Sequence, residues 1–255
     1  MEYVTLSHQL KMPILGLGAF QVPDKKECQE SVYQAIKAGY RLIDTAQSYG
    51  NEEWVGQGIA KSSVSREELF ITTKVWISNG GYDKAKESIE ASLKKMKLDY
   101  LDLVLTPQPL NDYYGTYRAM EDLYKEGKIK AIGVSNFYPD RLVDLALFNE
   151  VTPAVNQIEI NPFHQQLKAQ DYNNKYGVQL QAWAPFAEGK NGIFDNTTLK
   201  SIGEKYGKSI AQVILRWLLQ RGIVPLSKTV KKERMLQNID VFDFELNEDD
   251  MNKIS

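Results

Sequence analysis

The chain has 255 residues, 43% of them apolar and 25% charged, with a formal net charge of −2; this is the make-up of an ordinary globular protein with ample material for a core. So even a charge balance removes the electrostatic case for nucleic acid or an anionic membrane surface, and no apolar run approaches the ~20 residues that span a bilayer. The single cysteine, Cys28, allows no intrachain disulfide, and the stretch from Met1 to Phe20 is broken by His8, Lys11 and Pro13 where a secretory leader would be apolar, so a cytoplasmic protein is expected.

In chain order, Tyr3–Leu6 and Lys11–Pro13 predict a small hairpin. Ile14–Gly18 is the first of eight short apolar runs read as strands, and a helical stripe at Val32, Ala35 and Ile36 follows it. Arg41–Thr45 and Leu69–Lys74 come next, then a second stripe at Ile89, Leu93 and Met96. Leu101–Leu105, Ala131–Ser135, Ala154–Glu159 and Gln179–Trp183 continue the series. Ile210, Val213, Ile214, Trp217 and Leu218 follow the spacing of a helix docked on a core. Ser209 with Gln212 reads as its capping box and Gly222 as its stop. Ile223–Leu226 is the eighth strand, and Asn247 with Asp250 caps a last short helix.

These strands are continuous apolar runs, as expected when both faces are covered. Eight βα units without a linker or a composition break predict an α/β fold: one (β/α)8 TIM barrel filling residues 1–255 as a single domain, with the hairpin over one mouth. The lesser alternative is an open doubly wound sheet, which needs a glycine-rich phosphate turn after its first strand. Gly16-Leu17-Gly18-Ala19-Phe20 lacks the third glycine and does not lead straight into a helix.

In such a barrel the working residues stand at the C-terminal ends of strands. Asp44 and Tyr49 follow the second strand and Lys74 ends the third. A phenol with an ordinary pKa near ~10 is a poor acid. A neighbouring ammonium stabilises the phenolate and is expected to lower that pKa, while a carboxylate holds the ammonium charged. Lys228-Thr229-Val230-Lys231-Lys232-Glu233-Arg234 after the eighth strand is locally basic and leads into a helix, which suits a phosphate group. Trp183 offers a flat face for stacking, although a Trp by itself is more often core. No metal is expected.

Together these stretches resemble the aldo-keto reductase family over nearly the whole chain. The resemblance is carried by "MPILGLGAF", "YRLIDTAQSYGNEE", "LFITTKVW", "LDYLDLVL", "GKIKAIGVSNF", "AVNQIEINPF", "LQAWAPFAEGKNGIF", "AQVILRWLLQRGIVPLSKTVKKERMLQN" and "DVFDFEL", and is nearest to small bacterial reductases of the 2,5-diketogluconate reductase type. It implies a barrel that binds NADPH or NADP+ without a Rossmann domain and reduces a small carbonyl substrate by hydride transfer, as a monomer. It further implies that Asp44, Tyr49 and Lys74 belong to a catalytic four. Ser135, Asn136 and Gln157 would grip the nicotinamide carboxamide and Trp183 would stack on its ring. Lys228, Thr229 and Arg234 would surround the adenosine 2′-phosphate, Gln237 and Asn238 would meet adenine, and Phe20, Trp76, Pro107 and Gln108 would wall the substrate pocket.

The fourth catalytic member of that resemblance is a histidine in a run like "DLYLIHQP". Here the run is Asp102-Leu103-Val104-Leu105-Thr106-Pro107-Gln108-Pro109, and the flanks fix Pro107 in the histidine place. The chain's two histidines do not substitute: the resemblance puts the N-terminal segment that holds His8 at the opposite mouth, and His164 lies five residues past the sixth strand. Proline has no side-chain donor and no N–H. Thr106 should face the other side of the strand, which leaves Gln108 as the better substitute donor. The chain also stops at Ser255, where the family continues into a segment over the pocket, so a more open pocket is expected.

Three readings follow. The first is a carbonyl reductase impaired by Pro107. The second is a catalytically silent NADP(H)-binding protein. The third is an engineered barrel, suggested by the clustered departures at Val104, Thr106, Pro107 and Leu110, in which Lys74 in apolar surroundings forms Schiff bases.

Overall fold

The computed structural model describes residues 2–254, and His8 in its backbone only, so where the His8 side chain lies is outside what is described. Two short strands, β1 (Tyr3–Thr5) and β2 (Lys11–Pro13), pair antiparallel with Val4 opposite Met12. Eight further strands are all parallel: β3 (Gly16–Gly18), β4 (Leu42–Asp44), β5 (Phe70–Lys74), β6 (Leu101–Thr106), β7 (Ile129–Ser135), β8 (Val155–Glu159), β9 (Gln179–Trp183) and β10 (Val224–Ser227). They close into a barrel in chain order, with β10 returning to pair with β3. The open-sheet alternative is thereby removed.

Helices α1 (Lys25–Lys37), α2 (Glu52–Ser62), α3 (Tyr82–Met96), α4 (Tyr113–Lys125), α5 (Pro139–Phe148) and α6 (Leu167–Lys175) each follow one barrel strand from β3 to β8. Between β9 and β10 stand two helices, α7 (Thr197–Tyr206) and α8 (Ile210–Gln220), so the simple alternation expected from sequence is one helix short there. Chain order ends with α9 (Lys232–Ile239) and α10 (Glu248–Ile254). The Ser209–Gln212 capping box is formed on α8, Gly222 takes the left-handed φ of 71° just past its end, and Asn247 accepts from the Asp250 N–H at 2.9 Å. No helix among the described residues is long and apolar enough to cross a membrane.

Side-chain alternation divides each strand between two cores. Leu42, Phe70, Leu103, Leu105, Val155, Val224 and Leu226 fill the barrel interior, and Leu6 and Met12 of the hairpin segment join them from below. Ile43, Ile71, Val104, Ile132 and Val134 face outward into the layer shared with the helices. Gly133 stands opposite Leu105, and a Cβ there would lie 2.5 Å from the Val155 carbonyl oxygen and 2.9 Å from a Leu105 methyl. The interior is thus mostly apolar below the strand ends, with Gln181 a fully buried polar residue within it, and the remaining polar site residues gather at the rim.

Candidate active site

β4 delivers Asp44 to the upper rim, and the chain then makes one 3-10 turn, Gln47–Tyr49, closed by Gly50 at a left-handed φ of 68°. That turn folds Tyr49 back over the strand ends. β5 delivers Lys74 beside it. The Lys74 Nζ lies 2.5 Å from Asp44 Oδ1, 3.0 Å from the Thr45 carbonyl oxygen and 3.3 Å from the Tyr49 hydroxyl oxygen. The three N–H bonds of the ammonium therefore all have acceptors.

Burial is the largest influence on Lys74 and opposes its charge. The Asp44 carboxylate and the Tyr49 hydroxyl outweigh burial, and the ammonium is held above its ordinary 10.5. Lys74 is consequently a paired cation, not the neutral amine in apolar surroundings that Schiff-base chemistry requires. For Tyr49 burial is again the largest influence and raises its pKa. Lys74 pulls it down, Asp44 pushes it up, and the net shift is upward from 10.0. The expectation that the ammonium makes this phenol more acidic names a real influence, but desolvation is larger.

β6 runs one residue further than expected, to Thr106, whose hydroxyl faces the Met120 sulfur of α4 at 3.4 Å. Thr106 thus points away from the rim, and alternation turns Pro107 toward it. Pro107 and Gln108 line the same cleft as Tyr49 and Lys74. The Pro107 carbonyl accepts from Asn136 Nδ2 at 3.0 Å. Asn136 sits at a left-handed φ of 59°, a conformation that Asn tolerates better than most residues. Its Oδ1 accepts from the Trp183 indole N–H at 2.9 Å, and its Nδ2 also lies 3.3 Å from Ser135 Oγ. The ends of β6, β7 and β9 are tied together through this one amide.

On β8, Gln157 Nε2 donates to Asp44 Oδ2 at 2.8 Å and to Gln181 Oε1 at 3.0 Å. The cleft, about 1090 Å³, continues to the β10 side, where Lys228, Thr229, Arg234, Gln237 and Asn238 line it. Thr229 Oγ1 accepts from the Lys231 N–H at 3.1 Å, ordering the approach to α9. None of Lys228, Lys231, Lys232 and Arg234 forms an ion pair among the described residues. Phe20 and Trp76 complete the wall, the Phe20 ring 5.0 Å from that of Tyr49. Every residue singled out from the sequence for this site therefore meets the others in one cleft.

His164 does not. It is exposed and lines a smaller cavity with Glu159 and Trp183. Sequence reasoning missed the Ala184–Phe186 stretch, Glu188, Gly189 and Phe194, which also border the cleft, and Ser209–Ala211 at the start of α8. The run "WAPFAEGKNGIF" held a usable signal: its length and glycines mark a long loop at a strand end, where barrels build their sites. Among the described residues no cluster of His, Cys, Asp or Glu is placed to hold a metal ion.

A model of the aldo/keto reductase family matches residues 14–255. The chain belongs to the aldo/keto reductase family. Glyoxal reductase of Bacillus subtilis is 50% identical over 254 residues, 99% of this reductase and 91% of that protein. Methylglyoxal reductase DkgA of Escherichia coli is 42% identical over 247 residues, 96% of this reductase and 89% of that protein. Among solved structures, an aldo-keto reductase of Bombyx mori in complex with NADP superposes with a TM-score of 0.95 at 36% identity, covering 99% of this reductase and 91% of that chain. The family assignment makes this reductase an oxidoreductase.

Proposed function

We propose that this aldo/keto reductase uses NADPH to reduce small, neutral, electron-poor carbonyls, with Tyr49 giving the proton. The observation that carries the reading is Lys74, which bridges Asp44 Oδ1 at 2.5 Å and the Tyr49 hydroxyl at 3.3 Å in the strand-end cleft. Tyr49 donates its proton to the carbonyl oxygen. Lys74 stabilises the phenolate left behind, and Asp44 keeps Lys74 charged and in place.

The residues fit the cofactor. Lys228 and Arg234 have no acidic partner among the described residues, line the β10 side of the cleft and suit the 2′-phosphate, with Thr229 beside them and Gln237 and Asn238 toward adenine. Ser135, Asn136 and Gln157 suit the carboxamide, and Trp183 the nicotinamide ring. Bound there, NADPH supplies the hydride that the carbonyl carbon receives. The solved Bombyx mori relative with NADP supports the same choice of cofactor.

Pro107 sets the substrate class. Proline offers the carbonyl oxygen no donor, so the developing negative charge falls mainly on Tyr49, with the Gln108 amide in the same cleft the substitute donor at hand; loss of one such donor typically costs ~10²–10³ in rate. Carbonyls already polarised by a neighbour lose least: 1,2-dicarbonyls, diketones and quinones. The pocket wall of Phe20, Trp76, Pro107 and Gln108 carries no formal charge, which favours neutral substrates. The names of the Bacillus subtilis and Escherichia coli relatives, a glyoxal and a methylglyoxal reductase, are in keeping with this class.

NADPH oxidation with methylglyoxal, a diketone and a quinone tests the reading. Tyr49→Phe is expected to lower the rate by ~10²–10⁴, the usual contribution of a positioned acid; an unchanged rate would sink it. Pro107 also favours a second reading, a silent NADP(H)-binding protein. Tight NADPH binding without turnover across the same carbonyls would establish that reading instead.

A further inference from the structure

Gln181 lies on β9 with no exposed surface, and nothing in the proton-transfer scheme uses it. Its side chain spans two others. Gln181 Oε1 accepts from Gln157 Nε2 at 3.0 Å, and Gln181 Nε2 donates to the Met12 sulfur at 3.2 Å. Gln157 Nε2 spends its other N–H on Asp44 Oδ2 at 2.8 Å. Both N–H bonds of the Gln157 amide are thus turned into the barrel, and its Oε1 has no donor among the described residues. Gln157 itself borders the cleft.

We propose that Gln181 is a positioning residue that fixes the sense of the Gln157 amide, so that the cleft is offered a carbonyl oxygen, an acceptor, rather than an N–H. Asp44, a pure acceptor, takes one N–H. Left alone, the second N–H is free to turn toward the cleft. Gln181 removes that freedom by accepting it. A flipped Gln157 would set oxygen against oxygen twice, at Asp44 and at Gln181.

The sense of Gln181 is decided from below. Met12 comes from the hairpin that plugs the lower mouth, and its thioether is a weak acceptor with no donor capacity. It matches the amide NH2 of Gln181 and leaves Oε1 facing Gln157. The order Met12–Gln181–Gln157–Asp44–Lys74–Tyr49 links the hairpin to the catalytic phenol through side chains alone.

An acceptor at this place recognises a ligand N–H. Resting on the NADPH reading above, the group recognised is the carboxamide NH2 of the nicotinamide. Asn136 is the poorer candidate, because its Oδ1 already accepts from Trp183 and its Nδ2 is shared between Pro107 and Ser135.

The test compares binding of NADPH with binding of its 3-acetylpyridine analogue, in which a methyl replaces that NH2, by quenching of protein fluorescence. Wild type is expected to prefer NADPH by about ten-fold, the ordinary worth of one neutral hydrogen bond. Gln181→Met keeps the volume but not the acceptor and should bring the preference to within about two-fold. Gln181→Glu keeps an acceptor oxygen against Gln157 and should retain the wild-type preference. Equal preference in wild type and Gln181→Met overturns the proposal, as does a wild type that binds both cofactors equally well. The second outcome needs no variant to fold. Failure to bind NADPH at all removes the cofactor reading itself, a result distinct from binding without discrimination.

Discussion

The phenol of Tyr49 answers to three opposed influences, and their order fixes how activity should respond to pH. Burial and Asp44 raise its pKa above the ordinary 10.0, with burial the larger, and Lys74 only moderates them. A raised pKa keeps the proton on through neutral pH, so the acid form needed for reduction is fully present there. The kcat/KM for methylglyoxal should be flat through the neutral range and fall only alkaline of the ordinary tyrosine value. A descending limb near neutrality would point to a different acid. Pro107 gives the second expectation at this scale. Pro107→His returns a donor to the rim beside Tyr49 and Lys74 and should raise turnover by ~10²–10³, with the NADPH dissociation constant unchanged. No rise would show that the histidine place is not what limits this site. The residues of this cluster were legible in the sequence because Asp44 and Lys74 end strands and Tyr49 and Pro107 stand in the segments just after strand ends. Gln181 and Met12 were not, because their contact joins positions far apart in the chain and neither carries a reactive group.

At the scale of elements, the site depends on how closely the helices seat against the strands. Gly56 of α2 faces the end of α3, where a Cβ would fall 2.4 Å from the Met96 carbonyl oxygen and 2.6 Å from its Cα. Backbone cannot yield as a side-chain tip can. Gly56→Ala is therefore expected to cost ~1–3 kcal/mol as an overpacked contact, which in a chain of this size lowers Tm by ~2–4 °C per kcal/mol. Scanning calorimetry reads this directly, and an unchanged Tm would mean that α2 and α3 part freely. The strands were found from sequence within one or two residues at each end, because burial on both faces makes them continuous apolar runs. α7 was not found. Only Leu199, Ile202 and Gly203 of its ten residues are buried, too few to draw a stripe. The missed helix follows the missed loop, and both belong to the β9–β10 connection, where the fold departs from simple alternation.

For the whole molecule, one barrel rim gathers groups of opposite needs. Asp44 and Lys74 neutralise each other beside Tyr49, whereas Lys228 and Arg234, on the β10 side of the same cleft, have no ion pair among the described residues. The first arrangement suits the proton donor proposed above, and the second carries the positive charge that an anion would seek. Sequence by itself determined the barrel, the hairpin, the register of the strand ends and the presence of Pro107 just past the fourth barrel strand. All of these are written in local patterns: apolar runs, capping residues and the fixed flanks of a motif. Tertiary structure alone decided which influence rules the Tyr49 proton, which way the Gln157 amide faces, and that Lys74 is a paired cation. Each of these is a balance between burial and charges contributed by separate strands, and such a balance exists only once the strands have closed around it.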